Sequence, residues 1–255
     1  MNVKFAALAS LILITILACI SASEAGIVAY WPFDEGKGKD AKDASGNGND
    51  GAINDAKWVE GKFGKALEFD GNFVLVPNDE SYNFTKEQSF SIVLWINYKA
   101  KGDWQGVLQK FNGGYPFKVE VNPSNSLYFA LWDQTNNPGA SVGNVSGSWH
   151  HAAFVRDRSQ KKLYSYLDGV LKETQNDTIV GTTENTADLY IGARKPGNTI
   201  LFYGILDEIA IYDRILSEAE INAAVKGNIP EVKTAIRPKG RLTTIWGQVR
   251  SGKLF

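Results

Sequence analysis

Cysteine is nearly absent. The 255 residues hold one, Cys19, so no internal disulfide can form. Histidine is almost as scarce: His150 and His151 are the only two, which removes a histidine-rich metal centre. Neither sign of charge prevails, with 27 Lys and Arg against 28 Asp and Glu, so the basic excess of a dedicated nucleic-acid binder is missing. Proline is sparse at 8, whereas glycine reaches 25 and aromatics 12%. Many turns between aromatic-rich segments favour an all-β protein.

The apolar run at residues 5–20 follows Lys4 and precedes the small residues Ser21, Ala22, Ser23 and Ala25. It is shorter than the roughly 20 residues of a spanning helix. The pattern is that of a secretory signal peptide over residues 1–25, cut after Ser23 or Ala25. A lipid-attachment reading at Cys19 stands beside it, but Ile16 and Leu17 occupy the places usually held by Leu and a small residue. The expected product is secreted or displayed on the cell envelope, without a membrane span in its mature form.

Residues 26–227 read as short strands between turn clusters. Apolar or alternating segments lie at 26–33, 66–69, 73–76, 89–98, 117–121, 126–132, 149–156, 162–167, 170–174, 188–193 and 206–212. Asp168-Gly169 is a two-residue hairpin turn. Residues 40–55, dense in Gly, Asn and Asp, read as a loop. This many strands at roughly regular spacing predicts an all-β sandwich or jelly roll. One short helix follows: Ser217 and Glu220 form a capping box, with Ile221, Ala224 and Val225 on one face. Residues 228–255 form a basic C-terminal tail, with Lys233, Arg237, Lys239, Arg241, Arg250 and Lys253 against Glu231. Such a stretch reads as solvated, or as a docking segment around Ile245, Trp246 and Val249.

Three glycine-rich strings, Trp31-Pro-Phe-Asp-Glu-Gly36, Asp43-Ala-Ser-Gly-Asn-Gly-Asn-Asp-Gly51 and Gly61-Lys-Phe-Gly-Lys-Ala-Leu-Glu-Phe-Asp-Gly71, come first in the chain. Phe90-Ser-Ile-Val-Leu-Trp-Ile96, Trp149-His-His-Ala-Ala153, Leu163-Tyr-Ser-Tyr-Leu-Asp-Gly-Val170, Leu189-Tyr-Ile-Gly192 and the segment from Tyr203 to Leu216 follow. Together, in this order, they resemble the laminin-G-like jelly-roll domains of the concanavalin A-like lectin/glucanase superfamily, over about residues 26–226. The resemblance implies two face-packed antiparallel sheets and either a ligand that is a saccharide, a protein or a lipid, or a spacer role beside an enzyme. It also implies one structural calcium between the N- and C-terminal strands, at Asp34, the Asp70-Gly71 turn and Asp207. Calcium takes six to eight oxygens. Asp43-x-Ser45-x-Asn47-Gly48 mimics half of an EF-hand loop, but Asn54 stands at the twelfth place instead of Glu, so a turn accounts for it better.

The superfamily includes glucanases, whose paired carboxylates sit on one strand as Glu-x-Asp-x-x-Glu, about 5–5.5 Å apart in retaining enzymes. No such string occurs here, and Asp207-Glu208 is an adjacent pair whose side chains point opposite ways on a strand. Gly139-Ala-Ser-Val-Gly143 has the Gly-x-Ser-x-Gly spacing, but no helical pattern follows it as a nucleophile elbow requires, and no phosphate loop is present. His150 and His151, also adjacent, cannot ligate one metal. The expected function is an exported, non-catalytic recognition module that binds carbohydrate. The alternative is a protein-interaction or surface-display module with a docking tail; a glycoside hydrolase ranks last. Its partner is then a glycan or an extracellular protein, not nucleic acid. Sugar faces stack on aromatic rings and sugar hydroxyls pair with amides and carboxylates, so the candidate ligand residues are Trp104, Tyr115 and Trp132 with Asp133, Gln134 and Asn136. For each aromatic, burial in the sandwich core is the competing role.

Overall fold

The computed structural model describes residues 26–194 and 200–230. The expected signal peptide, and the tail beyond Pro230, lie outside the described residues. The chain forms two antiparallel sheets, each of eight strands. In the back sheet the order is Val170–Asn176, Lys162–Leu167, Trp149–Asp157, Phe90–Tyr98, Tyr203–Tyr212, Lys65–Asp70 and Lys57–Glu60. Ile27–Trp31 pairs with the C-terminal half of Tyr203–Tyr212, whose N-terminal half pairs with Lys65–Asp70. In the front sheet the order is Gly139–Asn144, Ser126–Trp132, Tyr115–Val121, Gln105–Lys110, Leu189–Ile191, Phe73–Val76, Gly51–Asn54 and Asp40–Ala41.

Alternation along the strands decides what lies between the sheets. Phe117, Val119 and Val121 face Leu127, Phe129 and Leu131 within the front sheet's inner layer, and Phe90, Ile92, Leu94, Phe154 and Ile211 supply the back layer. Phe84 stacks on Phe90 with ring centroids 4.3 Å apart, and Phe129 on Phe154 at 5.2 Å. Stacked pairs of this kind add about 0.5–1.5 kcal/mol to simple burial.

The helix Glu218–Ala224 begins with the expected capping box, Ser217 Oγ accepting from the Glu220 amide and Glu220 from the Ser217 amide. Ile221, Ala224, Leu216 and Ile229 cover Val93, Ala153 and Tyr212 on the outer face of the back sheet. The packed chain runs past the expected boundary at Gly227: Ile229 is buried, and Tyr212 donates its hydroxyl to the Pro230 carbonyl at 3.2 Å. Among the described residues, the outer face of the front sheet carries no such helix. No helix among the described residues is long and apolar enough to cross a membrane.

Four segments fold differently from their sequence reading, one of them Lys57–Glu60, a back-sheet edge strand not among the expected strands. Residues 40–55 contain the short strands Asp40–Ala41 and Gly51–Asn54 within the expected loop. Gly139–Asn144, a front-sheet edge strand, is mostly small and polar and has no apolar alternation. Gln105–Lys110 is central in the front sheet although three of its six residues are polar. Its Lys110 is buried because Asn185 and Ala187 carbonyls at 2.9 and 2.5 Å, and Asn78 Oδ1, replace water around the ammonium. Desolvation still pushes the Lys110 pKa down to about 8. Asp168-Gly169 is the expected hairpin turn, both residues with positive φ.

Candidate functional site

The outer face of the front sheet is assembled by the same alternation that fills the core. Where Phe117 and Val119 point in, Lys118 and Glu120 point out; where Phe129 and Leu131 point in, Tyr128 and Trp132 point out. An irregularity after Ala130 sets Trp132 opposite Tyr115. Phe111 lies parallel to Trp132, with centroids 6.2 Å apart and planes 5° apart, and Tyr115 tilts against Trp132 at 5.7 Å. These rings, with Gln109, Lys118, Asn137 and Arg194, line a pocket of about 240 Å³. Tyr115 is buried and donates its hydroxyl to Asn137 Oδ1 at 2.9 Å; Trp132 is half-buried.

Trp104 is 39% exposed and belongs to a neighbouring depression with Lys101, Gln105 and Tyr203. It meets Tyr128 edge-on at 6.5 Å. Lys118 joins the two groups: its ammonium is 5.1 Å from the Tyr115 ring centre and 5.8 Å from that of Trp104. The three expected aromatics therefore share one face, with Tyr115 as its floor and Trp104 and Trp132 more open.

The charged residues of this face were not foreseen. Glu120 is fully buried and holds two cations, Lys118 Nζ at 3.0 Å on Oε2 and Arg194 Nε and Nη2 at 2.9 and 2.7 Å on Oε1. Arg194 reaches Glu120 because the Ala193–Arg194 backbone crosses Gly106, where a Cβ would sit 2.7 Å from Arg194 N. Only glycine allows that approach. Burial raises the Tyr115 phenol pKa, and the nearby Glu120 charge raises it further, so the ring stays neutral. Gln109 is 1% exposed, and its Oε1 has no hydrogen-bond partner among the described residues. The alternating Lys-Val-Glu at residues 118–120 was the one signal of an outward polar row in the sequence.

Asp133, Gln134 and Asn136 do not line this pocket. Asp133 is buried and accepts backbone N–H bonds from Thr135, Asn136, Val180 and Gly181 at 3.0, 2.6, 2.9 and 2.8 Å. Burial pushes its pKa up, and those four donors outweigh the burial and hold it well below the usual carboxylate range. Asn136 gives its side-chain amide to the same carboxylate at 3.2 Å. Gln134 is exposed in a left-handed turn, φ 72°. Asp133 and Asn136 are thus spent on bracing the turn that presents Asn137.

The four positions expected to hold calcium divide between two places. Asp34 Oδ1 accepts from the Lys65 amide at 2.9 Å, and Asp207 Oδ2 from the Lys62 and Phe63 amides at 2.8 and 3.0 Å, so both brace the turn at residues 61–65. Asp70 stands at the other end of the Lys65–Asp70 strand, opposite Tyr203, and the Gly71 amide donates to the Phe202 carbonyl at 3.2 Å. The reason is register: Leu206, next to Asp207, pairs with Leu67, three residues along the strand from Asp70, or roughly 10 Å. Among the described residues no three His, Cys, Asp or Glu side chains gather as a metal would require. Asp207 Oδ1 is buried without a partner, one oxygen where calcium needs six to eight. The four residues therefore do not form the expected cage.

Asp207 and Glu208 occupy a bulge where Tyr203–Tyr212 changes partner from Lys65–Asp70 to Ile27–Trp31. Burial raises both pKa values to about 7; backbone amides oppose it at Asp207, and the Tyr30 hydroxyl, 2.6 Å from Oε2, opposes it at Glu208. At 0% and 5% exposure they cannot meet a polysaccharide as a hydrolytic pair. Asp43 accepts from the Tyr30, Ser45 and Asn49 amides at 2.9 Å each, as a turn brace does. His150 bonds Asp168 at 2.9 Å, whereas His151 is buried against Trp95; the adjacent pair has two separate settings.

The family model described as Concanavalin A-like lectin/glucanases superfamily, of the Laminin_G_3 type, matches residues 70–222. No curated protein sequence matches the chain. The binding domain of Paraclostridial Mosquitocidal Protein 1 is similar in structure, with a TM-score of 0.67 and 17% identity over 79% of this chain and 52% of that one. Domain 4 of AbnA, an extracellular arabinanase from Geobacillus stearothermophilus solved with arabinotriose, gives 0.60 and 18% over 79% of this chain and all (100%) of that one. The receptor-binding domain of botulinum neurotoxin D gives 0.62 and 14% over 79% and 52%. The chain spans about half the length of the two toxin domains. At these identities the likeness carries the fold alone.

Proposed function

Because the chain belongs to the concanavalin A-like lectin/glucanase superfamily, in its laminin-G-like branch, we propose that it is an exported, non-catalytic recognition module whose front-sheet outer face binds a saccharide. The observation that carries this reading is the pocket in which the rings of Phe111, Tyr115 and Trp132 gather beside the polar side chains of Gln109, Asn137 and Arg194. Rings offer a stacking surface, and amide and guanidinium groups at its edge pair with ligand hydroxyls. The open outer face leaves room for a chain, and the similar arabinanase domain holds an oligosaccharide. Export is supported by the leader pattern at residues 1–25.

A glycan array followed by calorimetry tests the reading. Each stacked aromatic contributes on the order of 1 kcal/mol, so Trp132→Ala should weaken binding several-fold to a hundredfold with the β circular-dichroism spectrum unchanged. Saccharide binding that survives Trp132→Ala, or a panel with no binder, would refute it. A protein partner is the second reading. It is favoured by Val170 and Leu171, 57% and 44% exposed on the edge strand Val170–Asn176, whose unpaired side can accept another strand.

A further inference from the structure

The front-face pocket is lined by two cations, Lys118 and Arg194, and by no Asp or Glu of the described residues. The carboxylate that both cations hold, Glu120, is fully buried. It sets one negative charge against two positive ones, so the group keeps a net positive charge. Arg194 is the more open cation, with 26% of its side chain exposed against 11% for Lys118. Its bonds to Glu120 use one edge of the guanidinium: Nε and Nη2 both reach Oε1. Nη1 makes no hydrogen bond to the described residues and is not among their buried unpartnered atoms. The second edge of the fork, Nη1 with the remaining hydrogen of Nη2, is therefore free. Two parallel N–H groups at that spacing match the two oxygens of a carboxylate.

Glu120 also fixes where that edge stands. A guanidinium held on one side by a buried carboxylate, on a backbone pressed against Gly106, loses little freedom when it takes a ligand. At the rim, exposed Asn137 has its Oδ1 occupied by the Tyr115 hydroxyl, which leaves Nδ2 as a second donor. Phe111 and Trp132, parallel with centroids 6.2 Å apart, supply the apolar surface beside these donors. A stacking surface for a sugar ring and donors for an anion thus meet in one pocket.

We propose that this pocket takes a sugar bearing a carboxylate, a uronic or a sialic acid, with the carboxylate on the free edge of Arg194 and the ring on Trp132. The proposal rests on the saccharide reading above. Carboxylate oxygens only accept and a guanidinium only donates, so the pair leaves no group unmatched. A neutral sugar stacks on the same ring but forgoes the charge-assisted bonds.

The test is calorimetry on the purified protein at low and high salt with matched probes: trigalacturonate beside its methyl ester, and sialyllactose beside lactose. At least one acid should bind about tenfold tighter than its neutral counterpart, the contribution of a hydrogen bond to a charged group. That ratio should shrink as salt rises. The probe pair that shows the preference names the source, uronic or sialic. Arg194→Gln should bring the acid down to the affinity of its neutral counterpart. Arg194→Lys keeps a cation on Glu120 but has no second edge, so it should lose most of the preference, and it keeps the test available if Arg194→Gln does not fold. Equal affinity within both probe pairs, tighter binding of the neutral members, or an acid preference that survives either variant would overturn the proposal. If Trp132→Ala still abolishes binding in those cases, the saccharide face stands and only its class is wrong. If Trp132→Ala leaves binding intact, or no probe binds, the face itself is wrong.

Discussion

His151 shows how a single side chain can set a pH response. It is 1% exposed, both ring nitrogens lack partners among the described residues, and burial pushes its pKa from 6.5 down to about 4 despite Asp168 nearby. In the unfolded chain the imidazole takes a proton near 6.5, so between 6.5 and 4 the unfolded state binds more protons. Stability contributed by this group therefore falls as pH drops through that window, by at most about 1.4 kcal/mol per pH unit. Asp207 and Glu208 act with the opposite sign: raised to about 7, they bind protons more readily when folded and favour the fold as pH falls from 7 toward 4. The whole-protein curve mixes the two, so the informative quantity is a difference. Urea melts of the wild type and His151→Leu should show the variant gaining about 1–3 kcal/mol on the wild type between pH 7 and pH 4.5. A gap independent of pH would mean that His151 is solvated.

Elements were legible in the sequence wherever apolar residues alternated, and illegible where pairing overrode composition. Phe90–Tyr98 and Trp149–Asp157 carried their own pattern; Gln105–Lys110 did not, because its Lys110 is satisfied by Asn78, Asn185 and Ala187 and its Gln105 by Tyr98 and Tyr203, most of them distant in the chain. The site divides the same way. Trp104, Tyr115 and Trp132 announced themselves as aromatics beside amides, whereas Gln109, Glu120 and Arg194 meet only through strand register and the gap above Gly106. Asp133 looked like a sugar ligand because Asp-x-x-Asn suits both a ligand and a turn, and the four backbone donors decide for the turn. The first strand, Ile27–Trp31, brings its own prediction. The Gly26 amide donates to Asp213 Oδ1, the Asp213 amide returns to the Gly26 carbonyl at 3.0 Å, and Glu80 lines the same pocket. Cleavage after Ala25 would put a new ammonium on the Asp213 carboxylate, in a pocket that Glu80 also lines, so the exported chain should begin at Gly26. N-terminal sequencing that finds Met1, or a lipid on Cys19, would exclude this.

For the whole molecule, the sandwich and its helix must be treated as one body that includes Ile229 and Pro230. The outer face of the back sheet is apolar at Val93, Ala153, Tyr212 and Ala210, and it is dry only because Leu216, Ile221, Ala224 and Ile229 lie on it. Burying one such aliphatic side chain stabilises by about 1.5–3 kcal/mol, and the Tyr212 hydroxyl adds its bond to Pro230. In a domain of this size each kcal/mol moves the melting temperature by about 2–4 °C. A protein ending at Pro230 should therefore melt with the full-length chain, while one ending at Gly227 should melt several degrees lower and bind a hydrophobic dye through the uncovered sheet. Saccharide binding at the front face should be equal in both at low temperature, because the pocket residues touch the opposite side of the sandwich. A protein ending at Pro230 that aggregates would place part of residues 231–255 in the packed body, and Ile245, Trp246 and Val249 are the first residues to substitute in locating it.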